Sequence, residues 1–311
     1  MSRSTPILII GFNRPESLRT LLQSLKPYNP ALLLVCIDGP RLGNPIDIDL
    51  VHQCRQLVNG ISWVRQIETL FRDTNIGLRA SVVDAVNRAT DKYGRVIVIE
   101  DDVEIGPNFL PYMETMLKVF EDDDSVAHIN GYNVIPRRRL TEPDETSRFT
   151  RYVESFAWAT WQRAWRSYDD SMAWANLASL RNLADLLGSR SAAIRWKLNF
   201  ADVASQRIDS WAYRWMASIW ANDMKILSPN ENLVRYTGWE NGTHTSRAAK
   251  WTELPVVPKR DEFIESLDFC GEIDRRADRW LGRSVFSETP LGVLEGLGIS
   301  ALLKLKNVRP H

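Results

Sequence analysis

The chain has 311 residues, 44% hydrophobic and 25% charged, ordinary values for a folded globular protein that exclude a disordered, collagen-like or disulfide-scaffold chain. Lys and Arg number 39 and are matched by 39 Asp and Glu, so no overall basic field exists to hold nucleic acid. Cys36, Cys54 and Cys270 are odd in number, widely spaced and form no CxxC pair, which fits a reducing compartment.

At the N-terminus, Pro6 leads into only about five apolar residues before Asn13 and Arg14, too few for a signal peptide. No uninterrupted apolar run of about 18 residues occurs. The expected location is cytoplasmic, at most peripheral to the inner face of a membrane. Pro6–Phe12 (PILIIGF) reads as a strand covered on both faces. Asn13, Pro15 and Glu16 then signal a helix start, and Leu18, Leu21, Leu22 and Leu25 follow at helical spacing. Ala31–Ile37 is a second buried strand, stopped by Asp38-Gly39-Pro40. Ile48, Val51 and Val58 mark a weak helix, Trp63 to Ile67 a third strand, Val82 to Ala89 another helix, and Val96–Ile99 a fourth strand. Pro107 opens a helix carrying Phe109, Met113, Met116, Leu117 and Phe120, and Arg137–Ser147 reads as a solvated loop. Such alternation implies a mostly parallel sheet. Nine of the 12 tryptophans then fall between Trp158 and Trp239, so the two halves of the chain are built differently.

A parallel sheet places its ligand beyond the carboxyl ends of its strands. There lie Gly11–Arg14, Asp38-Gly39, Asp73–Gly77 and Glu100-Asp101-Asp102. Neither GxGxxG nor GxxxxGK[ST] follows the first strand, which argues against a dinucleotide dehydrogenase and a P-loop ATPase. In the acidic triplet, at the end of a strand, residues two apart point the same way, so Glu100 and Asp102 are expected to share a face. Clustered carboxylates without a neighbouring His or Cys suit a hard cation, Mg²⁺ or Mn²⁺. A solvated acidic turn ahead of the next helix is the bland alternative.

The order of parts PILIIGFNRPESLRTLLQSL, VCIDGP, DTNIGL and VIVIEDDVEIGPNFLPYM resembles a GT-A-fold glycosyltransferase. It is most similar to N-acetylglucosaminyltransferases whose metal motif also reads EDD, followed by a short apolar segment and Pro-x-Phe. SFAWATWQRAWRSYD, DSWAYRW and ENLVRYTGWENGTHT resemble bacterial sugar transferases of the same fold. The resemblance implies an α/β, GT-A-like, Rossmann-type, mostly parallel sheet flanked by helices, with a Trp-rich helical acceptor half. Residues 1–130 are then the nucleotide-sugar-binding half, 131–255 the acceptor-binding and catalytic half of the same domain, and 256–311 a C-terminal helical tail.

The same resemblance implies residue roles. Asp102 is the direct metal ligand, with Asp101 or Glu100 on ribose or a metal-bound water. Asp38 meets the nucleoside, Arg14, Arg79 or both the diphosphate, and Gly11 and Asn13 belong to the same donor loop. His244, in Gly242-Thr-His-Thr245, stands near the metal or diphosphate. Asp209, before Trp211-Ala-Tyr-Arg-Trp215, is the base that takes the acceptor proton. Some relatives use a second acid just before that Trp, and Ser210 replaces it here. Glu154, Asp170 and Glu240 are the reserves, and a helix N-cap is Asp209's bland role.

Trp158, Trp161 and Trp165, spaced three and four apart, read as one face of a helix or turn, as do Trp211 and Trp215. Core packing is the ordinary use of that spacing, with Trp158 favoured over Trp220 as a ring lining the sugar site. The apolar segment Leu291–Pro310 ends in Lys304, Lys306 and Arg309. It suits either a membrane interface beside a lipid-linked acceptor or a tail packed on the protein. The combined reading is a metal-dependent, inverting glycosyltransferase moving a sugar from a nucleoside-diphosphate donor, UDP-sugar favoured, to a glycan or lipid-linked saccharide. A nucleotide-sugar nucleotidyltransferase and a non-catalytic carbohydrate-binding or scaffold protein are the alternatives, and the sequence leaves the oligomeric state open.

Overall fold

A computed structural model describes residues 5–238, 254–259 and 271–307, with side chains described as far as 298. His244, Glu240 and Cys270 lie outside the described residues, as do the side chains of Lys304, Lys306 and Arg309. The strands are β1 (Ile7–Gly11), β2 (Leu32–Ile37), β3 (Gln66–Phe71), β4 (Arg95–Glu100), β5 (Val103–Ile105), β6 (Val126–Asn130), β7 (Ser147–Thr150), β8 (Ala157–Trp161), β9 (Lys225–Pro229) and β10 (Val234–Tyr236). The helices are α1 (Pro15–Leu25), α2 (Pro45–Asn59), α3 (Leu78–Tyr93), α4 (Phe109–Val119), α5 (Gln162–Trp165), α6 (Ala173–Leu177), α7 (Leu180–Leu187), α8 (Arg190–Ala204), α9 (Trp211–Ala221), α10 (Arg275–Ser284) and α11 (Pro290–Asn307).

Eight strands form one sheet in the order β3-β2-β1-β4-β8-β6-β9-β7. β1 pairs in parallel with β2 and β4, and β2 with β3. β8 runs antiparallel to both β4 and β6, and β7 antiparallel to β9. β10 and β5 make a separate antiparallel pair. The molecule is thus a mixed α/β fold with a large, mostly parallel central sheet flanked by helices, in agreement with the GT-A-like, Rossmann-type architecture expected.

The apolar runs become strands because both faces are covered: every residue of β1, β2 and β6 is buried. Leu18, Leu21, Leu22 and Leu25 of α1 face this core, each contributing about 1.5–3 kcal/mol by leaving water. Two local expectations fail. Asn13 does not cap α1, because its amide donates instead to Asp47 Oδ1 at 2.8 Å and Arg14 holds the N-cap position. Trp158 and Trp161 lie on a strand rather than on one helical face, because β4 and β6 recruit that segment as their shared neighbour. Residues three apart on a strand point to opposite faces.

Tryptophan fills the centre of the second half. Trp158 stacks on His128 and Trp211 at centroid distances of 5.0 and 4.9 Å, and Trp165 packs on Trp215 at 4.8 Å. Trp215 donates its indole N–H to His128 Nδ1 at 3.2 Å. Burial depresses His128 to about 3, so it is a neutral core residue at physiological pH.

Candidate functional site

The carboxyl ends of β1 to β4 bring four loops to one rim. Asp38, directly after β2, ties two of them together. Its Oδ1 accepts from the backbone of Gly39 (2.8 Å) and Ile76 (3.1 Å), and its Oδ2 from Asn75 Nδ2 (3.0 Å) and the Gly77 backbone (3.1 Å). Asp38 therefore shapes the wall where a nucleoside was expected, with both oxygens already engaged inside the protein. Gly39 is required by the same closure, since a Cβ there would fall 2.3 Å from the Thr74 backbone. Asn13 and Arg41 both hold Asp47 at the start of α2, bracing the first loop against the second.

The acidic triplet closes the rim. Asp101 and Asp102 stand in a turn after β4, so strand alternation stops at Glu100. Asp101 Oδ2 accepts from the Phe12 backbone at 3.0 Å. Gly11 leaves room for it, because a Cβ at Gly11 would stand 3.3 Å from that oxygen. Arg14 Nη1 donates to Asp102 Oδ2 at 2.5 Å and faces Asp101 Oδ1 at 3.6 Å. The other oxygen of Asp102, Oδ1, is buried and has no hydrogen-bond partner among the described residues.

Burial raises all three acids, and neighbouring carboxylates raise Glu100 and Asp101 further. Glu100 is held well above the usual range by burial, then by Asp102 and Asp101. Asp101 is pushed up to about 7 by burial and by Asp102, and Asp102 is raised by burial against the pull of Arg14. Among the described residues, Arg14 is the one guanidinium paired with the triplet. A buried oxygen without a donor, inside a set of carboxylates short of positive charge, fits a hard divalent cation. Among the described residues no group of three or more Asp, Glu, His or Cys side chains is placed to hold a metal ion.

Three residues that the sequence reading did not single out cover the triplet. The Tyr236 ring stacks on Phe156 at 4.3 Å, and its hydroxyl hydrogen-bonds Asp102. Thr237 donates both its backbone N–H and its hydroxyl to the Asp102 carbonyl at 2.8 Å. Gly238 lies so close that a Cβ would fall 2.7 Å from Asp102 Oδ2. Only the stretch ENLVRYTGWENGTHT pointed toward them, by resemblance rather than by any local pattern.

Asp209 occupies a second charged cluster. Arg79, in the first turn of α3, donates Nε to Asp209 Oδ1 at 2.5 Å and Nη1 to both oxygens of Asp170 at 2.8 Å. Arg214 lies 3.4 Å from Asp170 and 3.9 Å from Asp209. Arg79 is thus committed to two carboxylates rather than left open for a diphosphate. Ser210 caps α9 by accepting from the Tyr213 backbone, which takes up the N-cap role weighed for Asp209. The two clusters are joined through Trp211, two residues beyond Asp209, whose indole hydrogen-bonds Glu100.

Two further candidates are placed differently. The Trp158 ring is fully buried (0% exposed), so it cannot floor a sugar site; Trp220, at 3%, cannot either. Glu154 is half-buried two residues before Phe156, and burial pushes its carboxyl up to about 8, with Arg148 opposing.

No family model and no curated protein matches the chain. Among solved structures, it is similar to mouse xyloside xylosyltransferase 1 in its apo form, at 12% identity and a TM-score of 0.35, over 71% of this chain and 83% of that one. It is also similar to mannose-1-phosphate geranyltransferase from Thermus thermophilus, at 13% identity and a TM-score of 0.32, over 73% of each chain.

Proposed function

We propose that the protein is a metal-dependent, inverting glycosyltransferase using a nucleoside-diphosphate sugar, UDP-linked by preference, and a glycan or lipid-linked acceptor. The observation that carries this reading is the buried Asp102 Oδ1, without a hydrogen-bond partner among the described residues, in an acidic triplet of which Asp101 and Asp102 share Arg14. Asp102, with Asp101 beside it, would hold Mg²⁺ or Mn²⁺ there, and such a cation would supply positive charge to a departing diphosphate. Arg14 pulls the carboxyls of Asp101 and Asp102 back down against the effect of burial, and Tyr236 and Gly238 shut water away from one side.

Removal of the acceptor proton falls to Asp209. Its Oδ1 is fixed by Arg79, while its side chain stays half exposed to solvent, open to an incoming hydroxyl. Asp170 is less suited, since Arg79 occupies both of its oxygens. Glu154, whose carboxyl burial pushes up to about 8, holds its proton at neutral pH and is less suited as a base. Arg79 is a positioning residue for Asp209.

Calorimetric titration with a panel of nucleotide sugars, with and without Mn²⁺, tests the reading. Saturable binding of one donor that requires the cation is expected, with slow donor hydrolysis when acceptor is omitted. Cation-independent binding overturns the metal role. Release of diphosphate from a nucleoside triphosphate and a sugar phosphate reassigns the protein to nucleotide-sugar synthesis.

A further inference from the structure

A second charged feature lies away from this site. Helix α10 packs against β7 and the turn at residues 137–139. β7 is an edge strand, four places from β4 in the sheet, or about 19 Å at ordinary strand spacing. Arg139, Arg276, Arg279 and Arg283 line a cavity of about 430 Å³ together with Trp280 and Ser284.

The acids of α10 do not balance these arginines, because they turn inward. Asp274 accepts from the backbone and hydroxyl of Thr141 and caps the helix. Asp278 accepts from Thr150 and from the Arg151 backbone. Arg139, Arg279 and Arg283 have no acidic partner among the described residues, and all four arginines are exposed. In a chain with zero formal net charge, this is a local concentration of one sign. Like charges three or four residues apart destabilise a helix unless an anion offsets them.

We infer that this face docks on an anionic lipid surface, the arginines meeting headgroup phosphates and Trp280 lying at the interface. Arg275 to Arg283 spans about 12 Å of helix, wider than one phosphate group and suited to several neighbouring headgroups. The next helix, α11, leaves Leu291, Leu294 and Leu297 exposed at 66%, 65% and 47%, apolar side chains of the kind that enter the acyl boundary. No helix among the described residues is long and apolar enough to cross a membrane, so the contact is peripheral. It is independent of the nucleotide-sugar reading, since it is measured without turnover.

The test is sedimentation of the full chain with vesicles of phosphatidylcholine alone, or of an equal mixture with phosphatidylglycerol. Binding to the mixed vesicles only is expected, weakening as salt is raised. The exposed triple variant R276Q, R279Q and R283Q should lose about a hundredfold in apparent affinity, roughly fivefold per arginine, with an unchanged melting temperature. Leu291→Ser with Leu294→Ser should weaken binding at unchanged salt dependence. Equal binding to neutral vesicles, no binding at all, or no loss in the triple variant overturns the proposal. So does displacement by free glucose-1-phosphate at millimolar concentration, which makes the cavity a site for small phosphorylated sugars.

Discussion

The two charged clusters of the candidate site solve opposite problems with the same residue types. Around Asp102, two buried carboxylates share Arg14 beside the half-buried Glu100, and one oxygen has no donor among the described residues. Around Asp209, two half-exposed carboxylates meet two guanidiniums, and Arg79 alone makes three hydrogen bonds. A balanced cluster holds its geometry whether or not a ligand arrives. A cluster short of positive charge is held by the surrounding packing at a cost, and it gains most when a cation enters. Charge balance, more than the presence of acids, therefore separates the group that positions a base from the group that receives a metal.

The balanced side is broken by Asp209→Asn. The amide keeps a hydrogen bond from Arg79 but cannot take a proton, so turnover should fall about 10²- to 10⁴-fold with donor affinity unchanged by calorimetry. Turnover within a few-fold of the parent transfers the base to another carboxylate. Next in size is the aromatic core that carries Trp211 between the clusters. Trp158→Ala should lower stability by about 3–5 kcal/mol in denaturant unfolding. Trp158→Phe should leave the acceptor KM unchanged, whereas a raised KM would return that ring to the sugar site.

What the sequence made legible follows from how local each signal is. β1 and β2 are short and wholly apolar, and β4 is apolar from Val96 to Ile99; bounded by Gly, Asp or Glu, they could be placed together with the loops after them. Three consecutive acids after such a strand made Glu100–Asp102 stand out. β3 is an edge strand whose residues are half-buried or exposed; its weak pattern put its start at Trp63 rather than at Gln66. Helical spacing misled at Trp158 and Trp161 because pairing with β4 and β6 overrode it, a contact that no local pattern encodes. Tyr236, Thr237 and Gly238 reach Asp102 across more than a hundred residues of chain, so only resemblance hinted at them. The Arg79 pairs with Asp170 and Asp209 were hidden for the same reason, and with them the difference between the two clusters.

The starved side is tested by Asp102→Asn. Removing a carboxyl that burial already holds above its ordinary value should leave the metal-free protein at least as stable as the parent, since Arg14 keeps Asp101 and an amide oxygen as acceptors. Cation-dependent donor binding should nevertheless weaken by at least about 10- to 100-fold, the loss that follows removal of a metal ligand's outer partner alone. A stability gain paired with a binding loss separates this effect from misfolding. If instead melting temperature and donor affinity fall together, Asp102 is a structural partner of Arg14 and the contrast between the clusters disappears.

The smallest effect concerns Glu154, which belongs to neither cluster and tests whether burial alone sets its charge. An unfolded chain releases this proton near pH 4.3, while the folded protein holds it to about 8. Between those values the folded state binds the extra proton. Its contribution to stability is complete below the lower value and is lost as pH rises through the upper one. Glu154→Gln should remove up to about 1.4 kcal/mol per pH unit from the slope of stability against pH in that window, while turnover at neutral pH changes little. An unchanged slope places the carboxyl in water with an ordinary pKa. A pH-independent collapse of turnover makes Glu154 part of the catalytic machinery, and Arg79 then holds Asp209 for packing alone.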